Sequence, residues 1–134
     1  MRETTTIAAA VGLALLLAPL AARADDPGGH AAAAVDGAGA EVYQGVCKAC
    51  HMADGKGASG AAVIPALAGN THLSVPAYPV ILVLNGRGAM PGFKDMLSPA
   101  QIAAVASYVR THFGNHYAKP VGADLVATLS QPQR

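Results

Sequence analysis

Residues 47–57 read "CKACHMADGKG" and hold both cysteines of a 134-residue chain. Cys47 and Cys50 lie three apart, and His51 follows the second directly. Three kinds of chemistry use such a trio: a redox disulfide, half of a metal site, or a covalent haem anchor. A redox pair belongs at the start of a helix that follows a strand, within alternating strands and helices. Here the motif follows a helical stretch, and alternating strands are missing. A zinc site needs four ligands, usually Cys and His from two separated pairs. His72, His112 and His116 are available, but His112 and His116 fall at and beyond a helix end, where histidine is ordinarily solvated. The haem reading uses every residue of the motif. Thiols at its first and fourth positions add to the two vinyl groups of one haem, and the adjacent histidine falls beneath the iron. A plain disulfide leaves His51 unexplained.

The start of the chain supports that choice. Arg2 precedes an uncharged apolar run, "IAAAVGLALLLAPLAA" (Ile7 to Ala22), and "ARA" at Ala22 to Ala24 fits the small-x-small cleavage rule. The run falls just short of the roughly 17–25 residues of a spanning helix, and Pro19 sits near its end. Residues 1–24 therefore read as a secretory signal, with Asp25 as the mature N-terminus. No cysteine near that point provides a lipid anchor. The expected location is the bacterial periplasm, with membrane association only through partners or an uncleaved signal. Covalent haem attachment takes place in that export compartment. Without residues 1–24, seven of the nine basic and seven of the eight acidic residues remain. No basic excess is left to neutralise phosphates, which argues against a nucleic-acid partner. An Ala/Gly-rich domain this small, without Trp, has trouble filling a core from its own side chains. Something else must help.

Outward from the motif, residues 25–38 ("DDPGGHAAAAVDGA") read as a flexible Gly/Ala leader. A short helix is expected from about Gly39 to Cys50, with Val42, Tyr43 and Val46 on one side. "ADGKGASGAA" is a glycine-punctuated loop, and Pro65 and Pro76 argue against a continuous helix through "IPALAGNTHLSVP". "YPVILVLNGRG" suits a buried strand or a short buried helix. Helix is preferred, ended by Asn85–Gly86, because no second strand is there to pair with it. "LSPAQIAAVASYVRTHFGN" carries the strongest local pattern. Ser98 is an N-cap, Pro99 suits the first turn, and Gln101 completes a capping box. Ile102, Val105, Ala106, Val109 and Phe113 recur at helical spacing, and Gly114 supplies the stop. Residues 118–134 read as a tail with a weak turn around Asp124 to Leu129. The functional domain thus spans residues 39–117.

A sixth iron ligand is sought among the methionines, since Met/His coordination raises the potential and marks electron-carrying haems. Met52 adjoins His51 and cannot reach the opposite face. Met96 precedes the last strong helix and is read as packing. Met90 stands in "NGRGAMPGF", 39 positions after His51. Its glycines at 86, 88 and 92 let the backbone approach a flat cofactor, and Pro91 stiffens the loop. Met90 is the preferred ligand. Arg87 suits a haem propionate, and suits an ordinary surface turn equally well. Asn70 is read as a loop brace or a cap, Tyr78 as core, and Lys56 and Lys94 as solvated charges.

This constellation resembles the single-haem class I cytochromes c over nearly the whole stretch from Gly39 to Tyr117. The resemblance implies a small all-α fold in which N- and C-terminal helices cross and one covalently bound haem c fills the core. It implies contact of Gly39 with Tyr108, an aromatic place for Tyr43, and a Pro65 carbonyl that accepts the His51 N–H. Haem contacts are then expected at Cys47, Cys50, His51, Pro65, Arg87 and Met90, with His51 and Met90 on the iron. Met52 departs from the glycine many members carry after the histidine. The stretch from Met90 to Leu129 is especially similar to cytochrome c subunits and domains of periplasmic dehydrogenases. The implied role is electron transfer rather than catalysis: one electron passes from a dehydrogenase to an acceptor such as a terminal oxidase or another cytochrome. A haem-based sensor or enzyme with a displaceable Met90 is the alternative.

Overall fold

The computed structural model describes residues 27–60 and 62–132; the expected secretory segment, residues 1–24, lies outside them. Helix α1 (Pro27–Val42) runs into a π-helical turn (Tyr43–Cys47) and a single α-helical turn, α2 (Lys48–His51). A 3₁₀ turn (Thr71–Ser74), α3 (Ala77–Asn85), α4 (Pro99–Thr111) and α5 (Ala123–Leu129) follow. No strand forms among the described residues. Isolated bridges at Ala58–Ile64 and Arg87–Met90 brace two loops. The fold is all-α. No helix among the described residues is long and apolar enough to cross a membrane.

Helices α1 and α4 cross at Gly39. A Cβ at that position would lie 2.5 Å from the Ala104 carbonyl oxygen and 2.7 Å from the Tyr108 Cβ, so only a glycine lets the two backbones meet. One turn on, Tyr43 is buried against Tyr108 and Phe113, with ring centroids 5.6 and 4.8 Å away. Val42, Leu73, Val105 and Val109 complete this apolar cluster, and Cys47 packs on its edge. A second cluster joins Val80 and Leu84 of α3, Ile102, Ala103 and Ala106 of α4, and Val121 and Val126.

Helix α4 begins as its sequence dictates. Ser98 Oγ accepts from Gln101 N at 3.2 Å, and Gln101 Oε1 accepts from Ser98 N at 2.9 Å, the reciprocal capping box. It ends at Thr111, two positions short of Phe113. Phe113 has φ 58° and Gly114 φ 78°, and this left-handed pair turns the chain while Phe113 stays packed, tilted, against Tyr43. Helix α3 is a helix rather than a strand, and Gly86 caps it with φ 71°.

Two expectations need correction. The supposed leader, residues 25–38, is helical from Pro27 onward. Its alanines are the strongest helix formers, and the segment continues without a break into the half of α1 that packs on α4. The tail holds more than a weak turn: α5 docks Val126, fully buried, onto α3 and α4. The approach to it is fixed by buried Ser107, whose Oγ accepts from Val121 N at 2.8 Å. Arg110, only 2 % exposed, donates to the carbonyls of Leu73 at 2.8 Å and of Lys119.

Candidate haem site

The cysteines sit where helix geometry changes. At the π turn the Lys48 N–H reaches back to Tyr43 O, one residue further than in an α-helix. Cys47 is half-buried against the Tyr43 cluster and Cys50 is exposed; both thiols are free. Burial, followed by the neighbouring Cys50, pushes the Cys47 thiol up to about 11. His51 closes the helical run, and its Nδ1–H donates to the Pro65 carbonyl at 3.1 Å. That bond fixes the tautomer and leaves Nε2 as the free donor. Burial lowers the His51 pKa, against the smaller opposing effect of the Pro65 bond, so the ring favours its neutral, metal-binding form.

The chain then doubles back to deliver Pro65. Met52 takes φ 65° and ψ 168°, a conformation suited to glycine, and the buried Tyr43 hydroxyl donates to its carbonyl at 2.7 Å. Gly57 N donates to His51 O at 3.1 Å, and Leu67 N and Ala68 N both donate to Gly55 O, at 2.7 and 3.0 Å. Asn70 does both things its sequence position allowed. Its Oδ1 accepts from His72 N at 3.0 Å, capping the 3₁₀ turn, and its Nδ2 donates to Ala66 O at 2.9 Å.

Met90 lies on a different loop, built just as tightly. Arg87 N donates to Met90 O at 2.9 Å and Met90 N to Arg87 O at 3.1 Å, closing a two-residue turn. Gly86 makes this loop fold over the end of α3, since a Cβ there would collide with Met90 O. Met90 is half-buried and Arg87 exposed. Met96 is 69 % exposed, so the reading of it as packing is corrected. Tyr78 packs on the Tyr43 cluster and stacks with exposed His72, ring centroids 5.2 Å apart. Lys56 pairs with Asp54 at the surface at 3.1 Å. His112 stacks on Tyr108 and His116 is exposed. The structure thus joins Cys47, Cys50, His51 and Pro65 in one unit and Arg87 with Met90 in another, with no hydrogen bond between the units among those described.

Sequence reasoning missed Asn115 and Arg110. Both are polar residues near the end of α4, buried because backbone carbonyls receive their donors. No residue-type pattern marks that.

Two free thiols on one helical run, a histidine with Nε2 available, and an apolar cluster at the first thiol together suit a covalently attached haem. Molecules of this class are small helical haem-c proteins. Residues 34–109 match the family model described as "Cytochrome C oxidase, cbb3-type, subunit III". Cytochrome c6 of Leptolyngbya boryana is 45 % identical over 74 residues, covering 54 % of this chain and 86 % of that protein. The cytochrome c subunit of the quinone alcohol dehydrogenase of Gluconobacter oxydans (strain 621H) is 38 % identical over 105 residues, 69 % of this chain and 22 % of that subunit. A nicotinate dehydrogenase subunit of Pseudomonas putida is 36 % identical over 103 residues, 69 % of this chain. The chain spans only 8 % of that relative's length. The chain belongs to the cytochrome c family. Its cofactor is covalently bound haem c, and its cysteines and histidine fit the C-x-x-C-H attachment motif.

Proposed function

We propose that this protein carries one electron at a time in the periplasm, from a dehydrogenase to an acceptor such as a terminal oxidase or another cytochrome. Haem c supplies the one-electron chemistry of its iron. His51 and Met90 would hold that iron, and Cys47 and Cys50 would carry the thioether links. The observation that carries the reading is the Nδ1–H bond of His51 to Pro65, which leaves Nε2 free to bind a metal. The pair of backbone hydrogen bonds between Arg87 and Met90 supports a methionine that is held rather than loose. Arg87, exposed beside it, is assigned to a haem propionate.

With His51 and Met90 as its ligands, the iron would offer substrate no open position, and the protein's work would be to hold the ligands still between redox states. Low reorganisation follows from that rigidity. The near-neutral charge balance favours short-lived docking on a mixed apolar and polar rim over long-range steering. A dehydrogenase as donor is supported by relatives named as subunits of an alcohol dehydrogenase and of a nicotinate dehydrogenase.

Two measurements test this. Carbon monoxide added to the untreated reduced protein leaves its spectrum unchanged if Met90 stays on the iron. Ready formation of a carbon monoxide complex would instead favour a ligand sensor. Gentle detergent extraction of the tagged protein from its own host is expected to bring down a dehydrogenase in fixed ratio. Recovery of the haem protein alone would replace a dedicated subunit with a mobile shuttle.

A further inference from the structure

We propose that Asn115 is a positioning residue for the haem histidine. It fixes the loop that carries the Pro65 carbonyl, and through that carbonyl it sets the orientation and donor strength of His51. The inference rests on the reading of His51 as an iron ligand.

Asn115 lies just beyond α4 and is 3 % exposed. Its Nδ2 donates to Leu67 O and to Val109 O, both at 2.8 Å, and its Oδ1 accepts from Asn70 N at 3.0 Å. Both donor hydrogens and the acceptor are thus used. Only one of the three bonds goes to α4, where Val109 O belongs to the helix end and lacks a helical partner. The other two reach 48 and 45 positions back, to the segment immediately after Pro65. A residue serving merely to finish α4 would need the first bond alone.

Pro65 has no N–H, so its peptide cannot be tied down by its own amide. Ile64, just before it, is held by its bridge to Ala58, and the position of the Pro65 carbonyl depends beyond that on what holds the following residues. Leu67 is held at both peptide groups: its N–H by Gly55 O, and its carbonyl by Asn115. Ala66 is held through its carbonyl by Asn70 Nδ2, and Asn70 is itself held at its N–H by Asn115. Asn115 is therefore the side chain that ties both Leu67 O and Asn70 N–H to the end of α4, beside the single backbone bond from Gly69 N to Phe113 O. Removing its amide frees Leu67 O and Asn70 N–H, and the loop carrying Pro65 O relaxes away from His51. A histidine that loses its carbonyl partner becomes a weaker donor. Weaker donation destabilises Fe(III) more than Fe(II), so the reduction potential rises.

The test uses the haem-loaded protein and compares wild type with Asn115→Ala, Asn70→Ala and Ser107→Ala. Two quantities are read: the reduction potential, and the solvent exchange of the His51 Nδ1–H observed as an iron-shifted NMR resonance. Asn115→Ala is expected to speed the exchange and shift the potential upward. Asn70→Ala does the same to a smaller degree, because of the ties on the Pro65 loop it removes only that to Ala66, together with the Oδ1 cap on His72 N. Ser107→Ala, on α4, loses buried bonds to Ala103 O and to Val121 N before α5, so it melts lower while both haem readouts stay at wild type. The inference is overturned if Asn115→Ala melts lower with exchange and potential unchanged, or if Ser107→Ala moves them equally. If Asn115→Ala does not fold, Asn70→Ala decides by the same criteria. A wild-type spectrum with no iron-shifted imidazole resonance sinks the reading of His51 itself, and the inference with it. That failure is distinct from an unmoved resonance in the variants.

Discussion

Met52 shows how much the site asks of a single backbone position. With φ 65° and ψ 168° it occupies a region that costs a side-chain-bearing residue about 1–3 kcal/mol. The Tyr43 hydroxyl holds its carbonyl in place. Met52→Gly keeps that bond, which is to the backbone, and relieves the strain, less the extra entropy a glycine loses on folding. The variant should be more stable by about 1 kcal/mol, which raises the melting temperature by about 5 °C. A lower melting temperature would show that the Met52 side chain outweighs the strain. Tyr43 itself is pushed up to about 12 from an ordinary 10.0, first by burial and then by Cys47. A raised pKa means the folded protein keeps a proton the unfolded chain gives up. Its stabilising contribution is complete below about pH 10 and is lost as pH climbs towards about 12. Denaturant midpoints across that window should fall less steeply for Tyr43→Phe than for wild type. The resemblance flagged Met52 as unusual, but its strain became visible only with the backbone angles.

Among the elements, the crossing of α1 and α4 gives the sharpest contrast. Gly39→Ala places a methyl 2.5 Å from Ala104 O, against backbone that cannot yield without moving a helix. A loss of about 1–3 kcal/mol is expected. Gly37→Ala, two residues earlier on α1, meets nothing within 4 Å and should gain about 0.5–1 kcal/mol from helix propensity. Thermal melts of the two variants should therefore move in opposite directions; movement in the same direction would contradict this packing. Elements with local signals were legible in sequence. Ser98, Pro99 and Gln101 announce α4, and the apolar run ended by Asn85–Gly86 announces α3. The first turns of α1 were not, because a Gly/Ala stretch has no apolar period to read. Nor was α5, a seven-residue helix with one wholly buried side chain, held by contacts to residues far back in the chain. The π turn before Cys47 likewise follows from packing of Tyr43 rather than from any composition signal.

At the scale of the whole molecule, the proposed haem would be part of the core: Cys47 packs at the edge of the Tyr43 cluster, and a group bound there would extend it. Cys47→Ser together with Cys50→Ser should remove covalent haem, seen by mass, and with it most helical circular dichroism. Retained helix without haem would show that the protein core suffices alone. The attachment motif was plain in sequence because its chemistry is local. The resemblance pointed to the Pro65 carbonyl, and Asn70 read as a brace or a cap; the Asn115 ties were not legible, since they run to backbone groups that no residue pattern reveals. The central claim is that His51 and Met90 hold the iron of an electron carrier. Potentiometric titration of Met90→Ala beside Met96→Ala tests it most directly. The account predicts a lower potential and an iron open to carbon monoxide for Met90→Ala, and wild-type behaviour for Met96→Ala, whose side chain is 69 % exposed. The reverse pattern, or no change in either, would contradict it.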